Sequence, residues 1–223
     1  LGGMYDVVGG GFHRYSTDAA WLVPHFEKML YDNAQLALSY LHAYQLTGDS
    51  QYKRISEQTL DFILREFRQP ESGFSSSLDA DTDGEEGSFY TWKHTDLEAA
   101  FEQPEDREFL KGAFSVSPYG NFDGKVILRL VLPPKELAVK MNLSWPAFND
   151  QLDRICARLY ALRESRVRPA LDDKVLVFWN ALAIRALAEA GKVLDREDYH
   201  LAAQESARFI LTRMVAEDGT LLR

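Results

Sequence analysis

An internal repeat is the feature of this sequence that most constrains its fold. Several residues align without a gap when an early segment is shifted by 147 residues: Asn33-Ala34 with Asn180-Ala181, Tyr52 with Tyr199, and Phe62-Ile63-Leu64 with Phe209-Ile210-Leu211. Each copy holds two apolar stretches at three- and four-residue spacing with a short break between them, which is the pattern of a helical hairpin. Repeated hairpins form arrays because each unit buries its apolar face on its neighbours. We therefore expect a mainly α protein.

The apolar spacing also sets the expected element boundaries. Predicted helices cover residues 24–47, 50–68, two short segments within 95–114, 134–141, 145–165, 174–192 and 197–215. Pro24 suits the first turn of the first helix, and Gly48 is a suitable stop signal after it. Predicted short strands cover residues 73–74, 89–92 and 126–132, with an acidic hairpin tip at 79–87.

The loops between the hairpins favour one arrangement of the array. A straight solenoid repeats at about 34–47 residues with similar loops, whereas these connections are long, unlike one another and rich in aromatic residues. We therefore predict a partial (α/α)6 toroid, a closed ring of helical hairpins with short β-hairpin loops on one rim, rather than an open superhelix. Both ends interrupt this pattern, so we expect residues 1–223 to be a single toroid domain that is incomplete at both ends.

Charge and cysteine content argue against several classes of function. The formal net charge of −9 disfavours an extended nucleic-acid or anionic-membrane surface, because both need a basic face. No apolar run approaches the roughly 20 residues that span a bilayer. Cys156 is the only cysteine and lies at helical spacing among apolar residues, so we expect it in the core and predict no intrachain disulfide. These features predict a soluble cytoplasmic protein without nucleic-acid or membrane partners.

Residues 13–33 hold the densest cluster of candidate functional side chains. The cluster comprises His13, Arg14, Tyr15, Trp21, His25, Tyr31, Asp32 and Asn33. On the expected helix, His25, Met29 and Asp32 share one face, so that a carboxylate can reach the imidazole. Such a carboxylate raises the basicity of His and fixes its tautomer, as general acid–base catalysis requires. The alternative is a polar pair that caps a hairpin, but the surrounding glycines and aromatic rings favour a sugar or small-molecule pocket.

The acidic tip at residues 79–90 allows three interpretations. Five of its residues match EF-hand positions: Asp79, Asp81, Asp83, Gly84 and Glu85. Position twelve of that pattern is Tyr90 instead of Glu, which weakens a calcium interpretation. In the second interpretation, Asp79 or Asp81 contacts a substrate hydroxyl or acts as an acid or base. The third is a solvated negative loop.

A third cluster lies near the start of the second hairpin copy. Asp172 or Asp173 can cap the helix that follows, whereas the repeat places Asn180 at the same rim as Asn33, with Trp179 as a stacking face. Paired carboxylates on different hairpins are the groups that glycosidases use. The sequence has no Gly-rich phosphate loop, no zinc-spaced His/Cys cluster and no nucleophile elbow, so we predict no cofactor and no metal.

Several of these motifs together resemble one known family. They are Gly3-Met4-Tyr5-Asp6, Gly9 through Ser16, Trp21 through Ala34, Asp79-Ala80-Asp81, Gly84 through Gly87, Phe89 through Trp92, Gly120-Asn121-Phe122, Asp172-Asp173-Lys174 and Trp179-Asn180. In these stretches the chain resembles the thioredoxin-domain-containing, spermatogenesis-associated-protein-like family. The resemblance implies a thioredoxin-like domain in the parent chain, followed by a six-hairpin (α/α) toroid similar to N-acylglucosamine 2-epimerases and six-hairpin glycosidases. The thioredoxin-like Cys pair is missing here, so no redox role carries over.

Two functional hypotheses follow from the motifs and the resemblance. In the first, the domain is a sugar epimerase-, isomerase- or glycosidase-like enzyme with catalytic groups drawn from His13, His25, Asp32, Asp79 and Asp81. The predicted substrate-binding residues are Arg14, Tyr15, Trp21, Tyr31, Asn33, Trp92, Asp172, Trp179 and Asn180. In the second, a non-catalytic module presents a glycan or peptide to the thioredoxin-like domain of the parent chain. A purely structural role is the remaining alternative.

Overall fold

The computed structural model describes residues 2–114 and 116–222, and helices dominate it. The helices are α1 (Leu30–Thr47), α2 (Ser50–Glu66), α3 (His94–Ala99), α4 (Pro104–Ala113), α5 (Pro134–Lys140), α6 (Trp145–Arg163), α7 (Val177–Leu194) and α8 (Glu197–Arg213). The short strands are β1 (Tyr15–Ser16), β2 (Pro24–His25), β3 (Lys28–Met29), β4 (Ser77–Leu78), β5 (Asp81–Thr82), β6 (Glu85–Glu86) and β7 (Leu171–Asp172). The mainly α fold class, with helical hairpins and short strand hairpins, is confirmed.

The described residues divide into two compact units. The first unit holds residues 2–9, 13–26 and 80–169, and the second holds residues 10–12, 27–79 and 170–222. Helices α3 to α6 belong to the first unit, and α1, α2, α7 and α8 belong to the second. Each unit buries an apolar core of its own.

The second unit contains both copies of the predicted hairpin repeat. Helix α1 ends at Gly48, which adopts the left-handed conformation (φ 70°) and donates its N–H to the Tyr44 carbonyl at 2.7 Å. The predicted stop signal is therefore confirmed. Asp49 begins the next helix by accepting the Gln51 N–H at 3.0 Å. Buried residues from all four helices form one core, which includes Leu30, Ala34, Leu41, Leu60, Ile63, Ala183, Leu187, Ala190, Tyr199 and Ala202.

A three-stranded antiparallel sheet in the second unit joins β3, β4 and β7. Lys28 pairs with Leu78, and Ser77 pairs with Asp172. Lys28 is 1% exposed, its ammonium group donates to the Gly10 carbonyl at 2.8 Å, and it lies over the Phe62 ring. This buried cation fixes the chain just before α1 begins.

The predicted start of the first helix at Pro24 is wrong. Residues 24–25 and 28–29 are short strands, and α1 begins only at Leu30. The reason is that strand pairing satisfies the backbone groups ahead of the helix, and the Leu30 N–H donates to the Ser76 carbonyl at 2.9 Å. Consequently, His25, Met29 and Asp32 do not lie on one helical face.

The first unit combines four helices with two strand hairpins. Its core includes Leu97, Phe109, Leu110, Phe114, Phe148, Leu152, Ile155 and Leu159. Cys156 belongs to this core and is 7% exposed, as predicted. A second, aromatic cluster consists of Phe26, Ala80, Phe89, Tyr90 and Ile127, with Phe122 packed against it.

The predicted strands at 73–74, 89–92 and 126–132 are reduced to isolated bridges. These bridges pair Arg68 with Phe74, Trp92 with Val126, and Phe114 with Leu130. Residues 87–90 form a turn instead, in which the Tyr90 N–H donates to the Gly87 carbonyl at 3.0 Å. Gly87 has a positive φ of 72°, and a Cβ there would lie 2.4 Å from the Phe26 ring. A glycine is therefore required at this turn, and it interrupts the strand.

Among the residues that the structure describes, no helix combines the length and the apolar character needed to cross a bilayer.

Candidate functional site

The predicted site residues are split equally between the two units. The first unit contains His13, Arg14, Tyr15, Trp21, His25, Asp81 and Trp92. The second unit contains Tyr31, Asp32, Asn33, Asp79, Asp172, Trp179 and Asn180.

In the first unit, His25 forms a pair with Glu86, a carboxylate outside the predicted site residues. The His25 Nδ1 atom lies 2.7 Å from Glu86 Oε1, and the two side chains are 26% and 45% exposed. A carboxylate can only accept a hydrogen bond, so Nδ1 carries the proton in this contact. In the neutral ring Nε2 is then the basic nitrogen. The predicted partner was Asp32, whereas the observed partner is 61 residues away in sequence.

Strand pairing places an aromatic ring beside this histidine. Tyr15 in β1 is the direct cross-strand partner of His25 in β2, and the two rings stack at 4.8 Å with an interplanar angle of 22°. Paired residues of an antiparallel ladder project from the same face, which explains the stacking. Tyr15 remains 50% exposed. The arrangement therefore offers a flat aromatic surface next to the imidazole.

Glu86 is held in place by the β5–β6 hairpin and by a neighbouring loop. The hairpin turns through Asp83 and Gly84, which both have positive φ angles, 55° and 76°. Glu85 forms an ion pair with Lys125, and Asp81 lies opposite Glu86 in the strand register. A two-residue turn of this kind is typical of a β-hairpin and not of a calcium-binding EF-hand loop. The described residues contain no group of three His, Cys, Asp or Glu side chains positioned for a metal ion.

The loop between β1 and β2 presents Trp21. Its indole is 63% exposed, and the residue has a positive φ of 56°. The Asp18 carboxylate holds this loop by accepting the N–H groups of Leu22 at 3.1 Å and Val23 at 2.7 Å. These backbone hydrogen bonds lower the pKa of Asp18 below its usual value, because they favour the ionised carboxylate.

His13 lies inside the aromatic cluster of the first unit. The ring is 4% exposed, its Nδ1 atom is 2.9 Å from the Phe26 carbonyl, and it packs edge-on against Tyr90 at 4.7 Å. Because a carbonyl only accepts, Nδ1 is the protonated nitrogen here as well. The neighbouring Arg14 is exposed. The catalytic role suggested for His13 stays a prediction.

Trp92 does not provide the stacking face that the sequence predicted. The side chain is 2% exposed and belongs to the core of the first unit. The Arg166 guanidinium lies 3.9 Å from the centre of its ring and donates to the carbonyls of Phe89 at 2.9 Å and Thr91 at 2.7 Å. Trp92 is therefore a packing residue, because the core and the Arg166 guanidinium bury its ring.

In the second unit, Asn33 and Asn180 bind backbone groups instead of facing a pocket. Both are fully buried. Asn33 accepts the Phe12 N–H at 2.6 Å and donates to the Phe12 carbonyl at 3.1 Å. Asn180 makes the same pair of bonds with Phe74, at 2.8 Å and 3.0 Å. Their predicted role in substrate binding is corrected: the amides are fully used in stabilising loops at the start of α1 and α7.

Five further candidates lie in the second unit. The Tyr31 and Trp179 rings contact each other at 4.7 Å, and both are partly exposed. Asp172 is hydrogen-bonded to the Lys174 ammonium at 3.0 Å, which lowers the pKa of this carboxyl. Asp79 is exposed, and Asp32 is partly exposed in the first turn of α1. The roles suggested for these side chains stay predictions.

The fold is that of a mainly α protein of repeated helical hairpins, and a partly exposed His–carboxylate pair joins two of its strand hairpins. The chain is 34% identical over its whole length to human spermatogenesis-associated protein 20, of which it spans 31%. It is 31% identical to the mouse protein, over 96% of the chain and 30% of that protein. The uncharacterized protein B0495.5 of Caenorhabditis elegans is 28% identical over the whole chain, which spans 34% of it. The chain is therefore a homologue of a segment of spermatogenesis-associated protein 20, and the resemblance to this family is confirmed.

The chain spans about a third of the length of these curated relatives. No family model matches it. Among solved structures, the crystal structure of D-mannose isomerase aligns with 95% of this chain and 48% of its own, with a TM-score of 0.32 and 15% identity.

Proposed function

We propose that the chain is a carbohydrate-processing domain that transfers protons on a sugar, with His25 as the acid–base residue. The observation that carries this proposal is the 2.7 Å contact between His25 Nδ1 and Glu86 beside the exposed Tyr15 ring. Glu86 is the positioning residue, because it fixes the tautomer and stabilises the imidazolium that forms when Nε2 takes a proton. A positioned acid or base of this kind contributes about 10²- to 10⁴-fold to a proton transfer.

The surroundings of His25 fit a neutral sugar. The half-exposed Tyr15 ring supplies an apolar face for sugar C–H groups. Asp81, Glu85 and Glu86 supply carboxylate acceptors for hydroxyl groups, and Lys125 is already paired with Glu85. This excess of negative charge disfavours binding of phosphorylated or carboxylated sugars, because an anionic group would be repelled by several carboxylates at once.

The epimerase- or isomerase-like form of the proposal is favoured over the glycosidase-like form. Glycosidases generally use two carboxyl groups, one on each side of the scissile bond. Here the carboxylate of Glu86 is engaged by His25, so the group available for proton transfer is an imidazole. The same proposal has four further parts. The hairpins close into a toroid, and residues 1–223 form a single domain. The protein is cytoplasmic, and its parent chain carries a thioredoxin-like partner domain.

A ligand screen with the full chain tests the proposal. We expect neutral monosaccharides such as mannose, glucose or N-acetylglucosamine to raise the thermal unfolding midpoint, because a ligand that binds only the native state stabilises it. The shift should be reduced by Tyr15→Ala, whereas Phe178→Ala, at another exposed aromatic residue, is the matched control. A screen in which no sugar shifts the midpoint would overturn the proposal.

The second candidate function is a non-catalytic binding module for glycans or peptides. It is favoured by the exposed Trp21 indole, which is presented on a loop held by Asp18. The two functions differ in their response to substitution. An enzyme with His25→Ala keeps its sugar affinity and loses turnover, whereas a binding module loses affinity chiefly with Trp21→Ala and has no turnover to lose.

A further inference from the structure

The loop after α2 and the loop after α8 have the same backbone structure. They cover residues 67–75 and 214–222, which the internal repeat places at equivalent positions. Three backbone hydrogen bonds close each loop, and their lengths match in order at 2.8, 2.8 and 2.9 Å: Ser75 to Phe67, Gln69 to Gly73 and Ser72 to Gln69 in the first loop, and Leu222 to Met214, Ala216 to Thr220 and Gly219 to Ala216 in the second. Ser72 and Gly219, which are equivalent, both have positive φ angles, 73° and 84°.

The two loops differ in what covers them. In the 67–75 loop, Phe74 is fully buried, and the Asn180 side chain in the first turn of α7 binds both its N–H and its carbonyl. The equivalent residue of the 214–222 loop is Leu221, which is 55% exposed. Among residues 2–114 and 116–222, no group forms a hydrogen bond with the Leu221 N–H or carbonyl. The 214–222 loop is therefore shaped like a bound loop and lacks the helix that binds it.

A second contact accompanies each asparagine. Phe62 on α2 lies against Gly11, where a Cβ would be 2.5 Å from the ring, and Phe209 on α8 lies against Gly73, where a Cβ would be 3.0 Å away. Each glycine directly precedes the residue whose backbone an asparagine binds. In both copies the phenylalanine comes 29 residues after that asparagine. A helical hairpin therefore holds the preceding loop at two points, one on each of its helices.

Apolar side chains near the 214–222 loop are exposed where their equivalents are covered. Leu211 is 70% exposed, whereas its equivalent Leu64 packs against the core of the second unit. Leu222 is 45% exposed, whereas its equivalent Ser75 is fully buried. A segment that covers these leucines and Leu221 gains the burial of apolar surface that stabilises a docked helix.

We infer that residues 214–222 are the docking site for a further helical hairpin of the parent chain, whose first helix carries an asparagine that binds the Leu221 N–H and carbonyl. Two complete examples within this chain support the assignment: Asn33 on Phe12 and Asn180 on Phe74. Human spermatogenesis-associated protein 20, of which the chain spans 31%, is long enough to contain such a hairpin. The docking site is independent of the sugar chemistry proposed above, and an open array of hairpins would use it as well as a closed ring.

Amide hydrogen exchange in the parent protein, followed by mass spectrometry with single-residue fragmentation, tests the docking site. We expect the Leu221 amide to exchange at least about tenfold more slowly than an unbonded amide, as the Phe74 amide does, because a buried and hydrogen-bonded N–H opens to solvent rarely. Alanine in place of the asparagine of the next hairpin should restore fast exchange at Leu221 and leave Phe74 protected. Asn180→Ala is the matched control and should give the opposite pattern. Protection of the buried Leu41 amide in α1 shows that each variant is folded.

The sequence of the parent protein supplies a second test that needs no variant. The first helix after residue 223 should carry an asparagine in its first turn and an apolar residue 29 positions later, as the hairpins that begin with α1 and α7 do. A helix without that asparagine, or a Leu221 amide that exchanges like an unbonded one, would overturn the docking site. Protection that rises with protein concentration would also overturn it, because the occupant would then be a second copy of the chain. Sugar binding affects none of these outcomes, so they leave the proposed function untouched.

Discussion

The side-chain amide of Asn180 binds both backbone polar groups of Phe74, accepting its N–H at 2.8 Å and donating to its carbonyl at 3.0 Å. The same amide also donates to the Leu176 carbonyl at 3.0 Å, one turn earlier. Asn33 repeats this arrangement at the start of α1, with Phe12 and Met29 as the partners. The internal repeat of the sequence therefore preserves a structural device that ties a loop to the first turn of a buried helix.

Removal of the Asn180 amide is expected to lower the free energy of unfolding. Asn180→Ala leaves the buried N–H and carbonyl of Phe74 without partners, and each unsatisfied group costs about 1–3 kcal/mol. We therefore predict a loss of about 2–4 kcal/mol in the free energy of unfolding, measured with urea, together with faster hydrogen exchange at the Phe74 amide. Asn149, which makes a single bond to Trp145 at a partly exposed position, is the control. Equal losses in the free energy of unfolding for Asn180→Ala and Asn149→Ala would contradict a stabilising role for the bonds between Asn180 and Phe74.

The Trp21 loop is predicted to depend on the ionisation of Asp18. Hydrogen bonds from Leu22 and Val23 lower the pKa of this carboxyl in the folded state. The stabilisation is therefore present above the usual Asp pKa of about 3.9 and is lost as the pH falls through the lower folded-state value.

Fluorescence of Trp21 measures this dependence, with Trp21→Phe used to subtract the other tryptophans. We expect the native signal to be constant from pH 7 to about pH 4 and to change below that. Asp18→Ala should show the low-pH signal already at pH 7. A variant with native fluorescence at pH 7 would show that Asp18 does not hold the loop.

The tautomer of His25 is predicted to depend on a hydrogen-bond acceptor at position 86. Glu86→Ala removes the acceptor and should let the neutral ring populate both tautomers, whereas Glu86→Gln keeps an oxygen that can accept from Nδ1–H. Nitrogen-15 chemical shifts of the imidazole, recorded at a pH where the ring is neutral, distinguish the two states. If Glu86→Ala retains the native shifts, the 2.7 Å contact does not set the tautomer.

A buried ion pair in the first unit provides a test of its core. The Arg163 guanidinium and the Asp6 carboxylate lie 2.9 Å apart, and both side chains are about 5% exposed or less. Arg163→Met leaves the Asp6 charge buried and unpaired, so we predict a loss of about 3–5 kcal/mol in the free energy of unfolding. The double variant Arg163→Met with Asp6→Asn should lose less free energy of unfolding than the sum of the losses of the two single variants. Strict additivity in this double-mutant cycle would contradict a direct interaction.

The sequence predicted the helices better than the site. Apolar periodicity located α2, α6, α7 and α8 closely, because their stability comes from local spacing and buried faces. The start of α1 was misplaced because strand pairing with residues 77–78, which periodicity does not encode, extends the chain up to Met29. Glu86 was missed for a similar reason: its contact with His25 joins residues 61 positions apart.

Asn180 illustrates the limit for candidate binding residues. The repeat identified it correctly as a special position, but its partner Phe74 is 106 residues away. Residue type and register are the same for a buried amide that binds backbone and for an amide that faces a ligand. Only the burial and the hydrogen-bond partners separate the two roles.

Deuterium incorporation into a sugar tests the central claim most directly. The full chain is incubated in D₂O with mannose, glucose or N-acetylglucosamine, and proton NMR follows the C1 and C2 hydrogens. Proton transfer by His25 predicts time-dependent loss of a C2 signal, abolished by His25→Ala and slowed by about 10- to 100-fold in Glu86→Ala. His42→Ala, at an exposed histidine in the second unit, should exchange like the native chain. Sugars that bind but show no exchange, or exchange that survives His25→Ala, would contradict an acid–base role for the His25–Glu86 pair.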